Sequence, residues 1–469
     1  MKRDIIVTAG LGFGDEGKGT TVDFLSREYK AQHVVRYNGG PQAAHHVVSS
    51  DGQLHCFAQF GSGSFNGSAT YLDRRMLVDP LRIKSEASQL AAKIHGNAYE
   101  LLTIHEDCLV VTPYHRIINR IKETVRGGTR HGSCGLGVGE TVLDSEILGA
   151  DPLRIADLWQ EKIVIEKLQE LQRVKSTLAE ELKKKTEMTT ELAWLLTELN
   201  SKAYLGTIAY NYVRFLDMLG LKITGEEGVA DMLAEGNLVF EAAQGVLLDR
   251  ERGFTPHVTK TVTTYQGAED IISQHELAGK VTKIGILRAY SSRHGAGPFV
   301  TQDDDLASAI PELHNTGNTW QGDFRVGHFD ALMARYALAV VGKVDSIALT
   351  NLDRLATATT VKVCSEYEYV GKDAAAVDQH CHLQTVGDKI IVKDLRMPEV
   401  TTTDYQSGLT EILKDCTPIY KHVAVDFRRQ PESAAKEYIA LLENEIHASI
   451  SIASYGPTSN DKRIIRPLC

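Results

Sequence analysis

A short apolar segment followed by a glycine-rich turn that contains a lysine most constrains how this chain folds. Residues 4–8 (DIIVT) are mostly apolar and rich in β-branched side chains, residues 12–20 read GFGDEGKGT, and residues 21–27 have a helix-like composition. Glycines let backbone N–H groups face phosphate oxygens, the helix start adds positive potential, and Lys18 can reach the terminal phosphates. The pattern predicts a strand, a phosphate-binding loop and a helix; the alternative is a structural turn without a ligand.

The loop departs from a Walker A sequence at one position that matters for metal binding. Gly19 follows Lys18, whereas Walker A has a serine or threonine there, whose hydroxyl binds magnesium. Asp15 lies inside the loop, where phosphate oxygens repel a carboxylate unless it bridges a divalent cation or accepts a proton from a bound base. We therefore interpret Asp15 as a metal ligand or a general base.

Several short apolar runs that end in glycine or polar residues predict an α/β fold with a mostly parallel central sheet flanked by helices, similar to P-loop NTPases. After the first run they cover residues 33–37, 108–112, 238–241, 281–287, 346–350 and 422–425. Residues 155–201 are rich in Glu, Lys and Leu, with apolar residues three or four apart, which predicts a helical excursion with a solvated charged face. We expect one domain over residues 1–469, with a helical subdomain at residues 155–235.

Charge and cysteine content limit the partners that this chain could have. The net charge is -10, so nothing favours a nucleic acid or an anionic membrane as a partner. The apolar run at residues 4–8 is too short for a signal sequence or a membrane span. The seven cysteines include no CxxC pair, which favours reduced thiols in a cytoplasmic protein.

Nine ordered segments resemble the conserved motifs of the adenylosuccinate synthetase family, and together they extend over nearly the whole chain. They are residues 14–19 (GDEGKG), 36–45 (RYNGGPQAAH), 112–115 (TPYH), 132–139 (GSCGLGVG), 240–249 (FEAAQGVLLD), 256–259 (PHVT), 290–299 (YSSRHGAGPF), 350–353 (TNLD) and 454–457 (SYGP). The resemblance implies a Mg²⁺-dependent ligase that uses GTP to phosphorylate the 6-oxygen of IMP. L-Aspartate then displaces the phosphate, giving adenylosuccinate.

The resemblance also implies roles for individual residues. As catalytic groups, Asp15 would accept the proton from N1 of the purine, His45 would donate to the reacting oxygen, Lys18 would neutralise phosphate charge, and Gln244 would hold the base edge. The implied triphosphate contacts are Gly14, Glu16, Gly17, Gly19, Thr20, Asn351, Asp353, Gly456 and Pro457. The implied purine-nucleotide contacts are Gln42, Ser133, Cys134, Gln244, Thr259 and Arg325; the amino-acid contacts are Ser291, Ser292 and Arg293; and the magnesium contacts are Asp15 and Ala44.

Three departures from the family pattern fall on substrate contacts. Asn351 replaces a lysine beside the guanine, so GTP is expected and ATP stays open. At the pocket that the resemblance implies for the nucleotide phosphate, Ser133 and Cys134 replace two threonines, and Gln42 replaces an asparagine. An arginine pair that reaches the partner subunit's nucleotide phosphate aligns with residues 150–151, which are alanine and aspartate; Arg154 or Arg130 would be candidates to compensate.

These departures leave alternatives open. A related synthetase could act on GMP, dGMP or another 6-oxopurine with ATP, and a regulator could keep the nucleotide site without turnover. Retention of Asp15, Lys18, His45 and Gln244 argues against a regulator, because a binder needs neither a base nor an acid beside one oxygen. The resemblance further implies a homodimer.

Overall fold

The computed structural model describes residues 3–147, 149–312, 320–358, 360–423, 427–429 and 431–468. Its main feature is a ten-stranded sheet in which all neighbouring strands are parallel except the last pair at one edge. In spatial order the strands are β21 (Lys462–Ile464), β20 (Ile450–Ser454), β15 (Ser346–Thr350), β11 (Lys280–Arg288), β1 (Asp4–Gly10), β10 (Asn237–Gly245), β2 (Ala31–Arg36), β5 (Ala69–Leu72), β7 (Leu102–His105) and β9 (Lys222–Thr224).

The remaining strands form small sheets beside the main one. A five-stranded sheet contains β14 (Phe329–Asp330), β16 (Lys362–Tyr369), β17 (Cys381–Val386), β18 (Lys389–Leu395) and β19 (Cys416–His422). The two-stranded sheets pair β3 (His45–Val48) with β4 (Leu54–Phe57), β6 (Leu77–Val78) with β8 (Leu109–Val110), and β12 (Ser291–His294) with β13 (Phe324–Gly327).

Fourteen α-helices within the described residues connect and cover these sheets. They are α1 (Lys18–Glu28), α2 (Pro80–Ile94), α3 (Pro113–Arg126), α4 (Val138–Ser145), α5 (Glu161–Lys183), α6 (Thr190–Leu199), α7 (Lys202–Phe215), α8 (Glu226–Leu233), α9 (Gln266–Gln274), α10 (Asp304–Ala309), α11 (Ala331–Val341), α12 (Ala374–His380), α13 (Thr403–Lys414) and α14 (Pro431–Ile446). None of them combines the length and apolar content needed to cross a membrane.

The predicted fold class is confirmed. The apolar run at the start of the chain forms β1, the central strand between β10 and β11, and every β1 residue after Asp4 is buried. A strand with neighbours on both sides and helices on both faces must be apolar throughout, which explains its continuous hydrophobic sequence. Its carboxyl end leads into the phosphate loop and α1, so the loop lies at the carboxyl edge of the sheet, where open α/β sheets bind ligands.

Two strand predictions were wrong in part. Residues 108–112 contain only the two-residue β8, which pairs with β6 outside the main sheet, because Thr112 instead caps α3 by accepting a hydrogen bond from the His115 backbone N–H. Of residues 422–425, His422 ends the antiparallel strand β19, and residues 424 and 425 lie outside the described part of the chain.

The charged, leucine-rich stretch forms α5 and α6, and α7 follows directly. Their apolar faces join a second hydrophobic core together with α2, α3 and β7. Residues 155–235 also contain β9, which is hydrogen-bonded to β7 at the edge of the main sheet. The division into one domain with a helical subdomain stays a prediction.

Candidate active site

The phosphate loop curves around its own glutamate. Gly14 and Gly17 have φ angles of 91° and 85°, in the left-handed region that glycine adopts without a steric penalty. The Glu16 carboxylate lies inside the curve, where it accepts hydrogen bonds from the N–H groups of Gly12 and Gly14 at 3.0 and 2.8 Å and from Lys18 Nζ at 2.5 Å. Glu16 therefore stabilises the conformation of the loop through hydrogen bonds within it. Its contact with a triphosphate stays a prediction.

The loop borders a cavity of about 1060 Å³, which is at the upper end of the range for ligand sites and has room for more than one substrate. The structure brings together on this cavity most of the residues predicted from the sequence, although they come from distant segments. They are Gly14, Asp15, Gly17, Lys18, Gly19, Thr20, Gln42, Ala44, His45, Cys134, Gln244, Asn351, Asp353, Gly456 and Pro457.

Asp15 presents a partly accessible carboxylate to this cavity. Its φ of 60° is unusual for a residue other than glycine, and such conformations persist where the surrounding structure over-determines them. Its side chain is 29% exposed, and His294 Nε2 lies 3.8 Å from its Oδ2. The carboxylate is therefore placed to receive a proton or a cation from a bound ligand.

His45 is held by a fully buried glutamate. Its Nδ1 lies 2.5 Å from Oε1 of Glu241, and Ser62 donates to the same carboxylate from its backbone N–H and its hydroxyl, at 2.9 and 2.5 Å. Burial lowers the pKa of His45 below its ordinary value, although Glu241 acts in the opposite direction. Burial also disfavours ionised Glu241, but the charge of Arg36 and the hydrogen bond from His45 keep the pKa of this carboxyl below its usual range. An ionised Glu241 fixes the His45 proton on Nδ1, so Nε2 is the atom available to a ligand.

Two further cavity residues occupy strained positions at strand ends. Gln244 lies near the end of β10 with φ 67°, and Asn351 directly follows β15 with φ 62°. Left-handed conformations of residues other than glycine cost of order 1–3 kcal/mol and cluster at ligand sites. Both residues lie at the carboxyl edge of the sheet, beside the phosphate loop.

The other end of the loop is tied to the carboxyl-terminal segment. The hydroxyl of Thr20 donates to the Pro457 carbonyl at 2.7 Å, and Lys462 Nζ donates to the same hydroxyl at 2.5 Å. Burial lowers the pKa of Lys462 to about 8, against the opposing charges of Asp23 and other carboxylates. Burial raises the pKa of Asp353, which lines the same part of the cavity.

The predicted amino-acid contacts do not line the cavity in this structure. Arg293 is 1% exposed, donates to the carbonyls of Ala296 and Pro298 at 3.2 and 2.8 Å, and stacks 4.0 Å above the ring of Phe13. Ser292 accepts a hydrogen bond from Arg288 Nη1 at 3.0 Å. The other predicted contacts that lie outside the cavity lining are Glu16, Ser133, Thr259, Ser291 and Arg325. Their roles stay predictions.

Sequence reasoning missed the pairing that positions His45. Glu241 stands within the FEAAQG motif, but its role depends on Arg36, with which it is in register on the adjacent parallel strand. One feature of the sequence could have indicated this pairing: Arg36 and Glu241 each lie inside an apolar strand. Buried charges are normally paired, so two such residues are expected to lie near each other. Arg82, Arg120, Arg288 and other cavity residues had no motif to mark them.

The residues beside the loop fit a magnesium ion. Mg²⁺ prefers oxygen ligands and is typically bound by one or two carboxylates together with substrate phosphates and water. Asp15 offers a carboxylate, and Ala44 offers only its backbone carbonyl. No group of three or more His, Cys, Asp and Glu side chains with metal-site geometry occurs in the described part of the chain, so the phosphates would have to complete the coordination.

A phosphate loop that carries an aspartate, placed at the carboxyl edge of a parallel sheet and sharing one cavity with a glutamate-held histidine, defines an enzyme that transfers a phosphoryl group from a nucleotide. A family model described as adenylosuccinate synthetase matches residues 7–463. The chain belongs to the adenylosuccinate synthetase family, and it is a ligase that forms a carbon–nitrogen bond.

Individual relatives agree with this assignment. The chain is 34% identical to adenylosuccinate synthetase of Thermoplasma volcanium over 80% of this chain and 81% of the relative. It is 28% identical to the synthetase of Citrifermentans bemidjiense over 98% of each chain. Among solved structures, the fully ligated adenylosuccinate synthetase of Plasmodium falciparum superposes with a TM-score of 0.73 at 20% identity, over 98% of this chain and 99% of that one.

A second solved structure has a similar fold at greater distance. It is the cyanophage S-2L succinoaminodeoxyadenylate synthetase bound to dGMP and dATP, with a TM-score of 0.55 at 16% identity, over 100% of this chain and 97% of that one. Identities this low establish the fold alone.

Proposed function

We propose that the cavity joins IMP to L-aspartate in two steps with GTP, and that Asp15 begins the first step. The lactam oxygen of IMP is a weak nucleophile until N1 loses its proton, so a carboxylate beside N1 is required. Asp15 supports this role because its carboxylate faces the cavity and is 29% exposed, with His294 Nε2 3.8 Å from its Oδ2. As Asp15 takes the N1 proton, the 6-oxygen forms a bond to the γ-phosphorus and the bond to the β-phosphate oxygen breaks, releasing GDP.

His45 would donate from Nε2 to the reacting oxygen. The observation that carries this role is the Glu241 carboxylate 2.5 Å from His45 Nδ1, because it fixes the tautomer and stabilises an imidazolium. Burial alone keeps His45 neutral, but the negative charges of a bound triphosphate favour its protonated form. The amino group of aspartate then attacks C6 and loses a proton, and the bond from C6 to the phosphorylated oxygen breaks, releasing inorganic phosphate.

The triphosphate would lie along the loop. Lys18, the loop N–H groups and the start of α1 supply positive potential, and Asp15 with the Ala44 carbonyl would hold Mg²⁺. Bound Mg²⁺ would neutralise charge on the transferring phosphate. Asp353 would accept hydrogen bonds from the N1 and N2 donors of guanine, which favours GTP over ATP.

Assembly and location belong to the same proposal. Family membership supports a homodimer in the cytoplasm. Arg293, with Ser291 and Ser292, is the proposed carboxylate clamp for aspartate, on the strength of its motif.

The test measures phosphate release with Mg²⁺ and aspartate, crossing GTP or ATP with IMP, dIMP, GMP and dGMP, and reads the product mass in the same tubes. We expect phosphate release with IMP and GTP and a product with the mass of adenylosuccinate.

Asp15→Asn should lower kcat by about 10²- to 10⁴-fold, the range for a general base. Asp217→Asn, on an exposed side chain paired with Arg214, is the matched control. Turnover of dGMP but not IMP would replace the proposed substrate, and no release in any tube would refute the proposal.

A further inference from the structure

Two helices bring arginine side chains to the cavity beside one cysteine. Arg82 lies in the first turn of α2, Arg120 lies in the middle of α3, and both line the cavity with Cys134. Burial raises the pKa of Cys134, and the charges of Arg82 and Arg120 both oppose this effect. The two guanidinium groups therefore act on the same short segment of the cavity wall.

Neither arginine forms an ion pair with an acidic side chain of the described residues. Within the described ranges, no carboxylate lies at ion-pair distance from Arg82 or Arg120, whereas two other cations of α3 are paired: Lys122 with Glu140 at 2.6 Å, and Arg126 with a glutamate of its own helix. A cation in the first turn of a helix, such as Arg82, is also disfavoured by the helix dipole. This arrangement gains stabilisation when an anion enters the cavity.

Arg120 is held in a defined orientation. Its Nε donates to the Gly135 carbonyl at 3.2 Å, and its guanidinium lies 5.4 Å from the ring centre of Trp320. The neighbouring Asn119 donates to Ser133 Oγ at 2.9 Å, so α3 holds the segment around Cys134 at two points. The Gly135 carbonyl uses one of the five N–H donors of Arg120, the one on Nε. The N–H groups of the two terminal nitrogens, Nη1 and Nη2, stay available for a planar or phosphate ligand.

The residues that the sequence analysis considered for binding the nucleotide phosphate, in place of the family's arginine pair, lie elsewhere. Asp151, at a position of the missing arginine pair, accepts from Lys167 at 2.7 Å, and Arg154 donates to the Asp107 carbonyl at 2.6 Å. Arg130 lies 5.7 Å from the Trp320 ring centre, and neither Arg130 nor Arg154 lines the cavity. Arg82 and Arg120 are the arginines of this wall that do.

We propose that Arg82 and Arg120 bind the 5′-phosphate of the purine nucleotide, so that one chain supplies the cations of this subsite. Cys134 and Ser133 occupy the positions that the family resemblance gives to the phosphate pocket. Cys134 lines the cavity together with both arginines, and Asn119 of α3 donates to Ser133 Oγ. The inference rests on the proposed function, because it assigns the anion to the substrate of that reaction. A phosphate monoester suits the site, since two arginines offer several charge-assisted hydrogen bonds to its oxygens.

The test compares direct binding of IMP and of inosine, which lacks the phosphate, by calorimetry in the absence of GTP. For Arg82→Gln and Arg120→Gln we expect the Kd of IMP to rise by roughly 10- to 100-fold each, as for loss of a hydrogen bond to a charged group, with inosine binding unchanged. The Arg120→Lys variant should bind IMP more tightly than Arg120→Gln and less tightly than the wild type. Lysine keeps the positive charge but cannot form the paired hydrogen bonds of a guanidinium. Arg154→Gln is the matched control and should leave IMP binding unchanged.

The outcomes separate this inference from the proposed function. Unchanged IMP affinity in both glutamine variants, or equal losses for IMP and inosine, would overturn the phosphate assignment while leaving the ligase reaction intact. A rise in the KM of GTP instead of IMP would place the arginines on the triphosphate and would also overturn it. If the wild-type protein binds dGMP and not IMP, the proposed substrate fails, and the same variants measured with dGMP and deoxyguanosine still test the arginines.

Discussion

Replacing Glu241 with glutamine tests whether the buried carboxylate controls the histidine beside the reacting oxygen. One oxygen of Glu241 faces His45 Nδ1 and the Ser62 hydroxyl, and the other accepts from the Ser62 backbone N–H. A glutamine amide has only one oxygen. Its NH₂ group must therefore face either the Ser62 N–H, which leaves two donors opposed, or His45, which moves the imidazole proton to Nε2.

The substitution also removes the countercharge of a buried cation. Arg36 is 0% exposed, donates only to the carbonyls of Ala58 and Phe60 within the described structure, and has Nε and Nη2 buried without a hydrogen-bond partner. Glu241 is also hydrogen-bonded to His45 Nδ1 and Ser62, and a hydrogen bond to a charged group contributes about 1.5–3 kcal/mol. We expect a loss of unfolding free energy of that order in Glu241→Gln. We also expect kcat to fall by about 10²- to 10⁴-fold, because a neutral amide no longer stabilises the His45 imidazolium that donates from Nε2.

The assay measures kcat for phosphate release at saturating IMP, GTP and aspartate, at a temperature where circular dichroism shows both proteins folded. Glu123→Gln is the matched control, because Glu123 is equally buried, pairs with Arg126 and does not line the cavity. The control should lose stability and keep its kcat. A kcat for Glu241→Gln within about threefold of the wild-type value would refute the argument that this carboxylate stabilises the His45 imidazolium.

Two other predictions concern the nucleotide and pH. Asp353→Asn should raise the KM of GTP by roughly tenfold or more and leave the KM of ATP nearly unchanged, because an amide cannot accept both guanine donors; equal effects on both nucleotides would contradict the assignment. Burial lowers the pKa of His55 and His328 to about 4, below the unfolded value of about 6.5; the charge of Lys93 acts in the same direction on His55, and Asp303 opposes the shift of His328. Their contribution to stability is therefore complete above pH 6.5 and is lost as the pH falls towards 4, so urea unfolding should show a decreasing free energy over this window. His55→Gln should make that decrease shallower, and an unchanged pH dependence would count against it.

The sequence predicted most of the site because its catalytic residues lie in local patterns. A phosphate loop needs glycines at fixed positions, and Gly14 and Gly17 adopt the left-handed angles that the GDEGKG pattern requires. Asp15 could be singled out because a carboxylate among phosphate-binding amides is unfavourable without a cation or a proton. The fold class followed from buried strands such as β1, whose continuous apolar sequence is typical of a parallel sheet.

The contacts between distant segments were decided only by the tertiary structure. Glu241 and Arg36 are brought into register by the pairing of β10 with β2, and neither strand alone shows that the other is its neighbour. Arg82 and Arg120 lie on amphipathic helices, where exposed arginines are common, so only the packing of α2 and α3 around the cavity distinguishes them from solvated charges. The sequence by itself thus determined the strand–loop–helix unit, the sheet class and the acid–base residues, because local conformation and burial depend on nearby side chains. The partners of those residues depend on strand order and helix packing, which the whole chain must fold to establish.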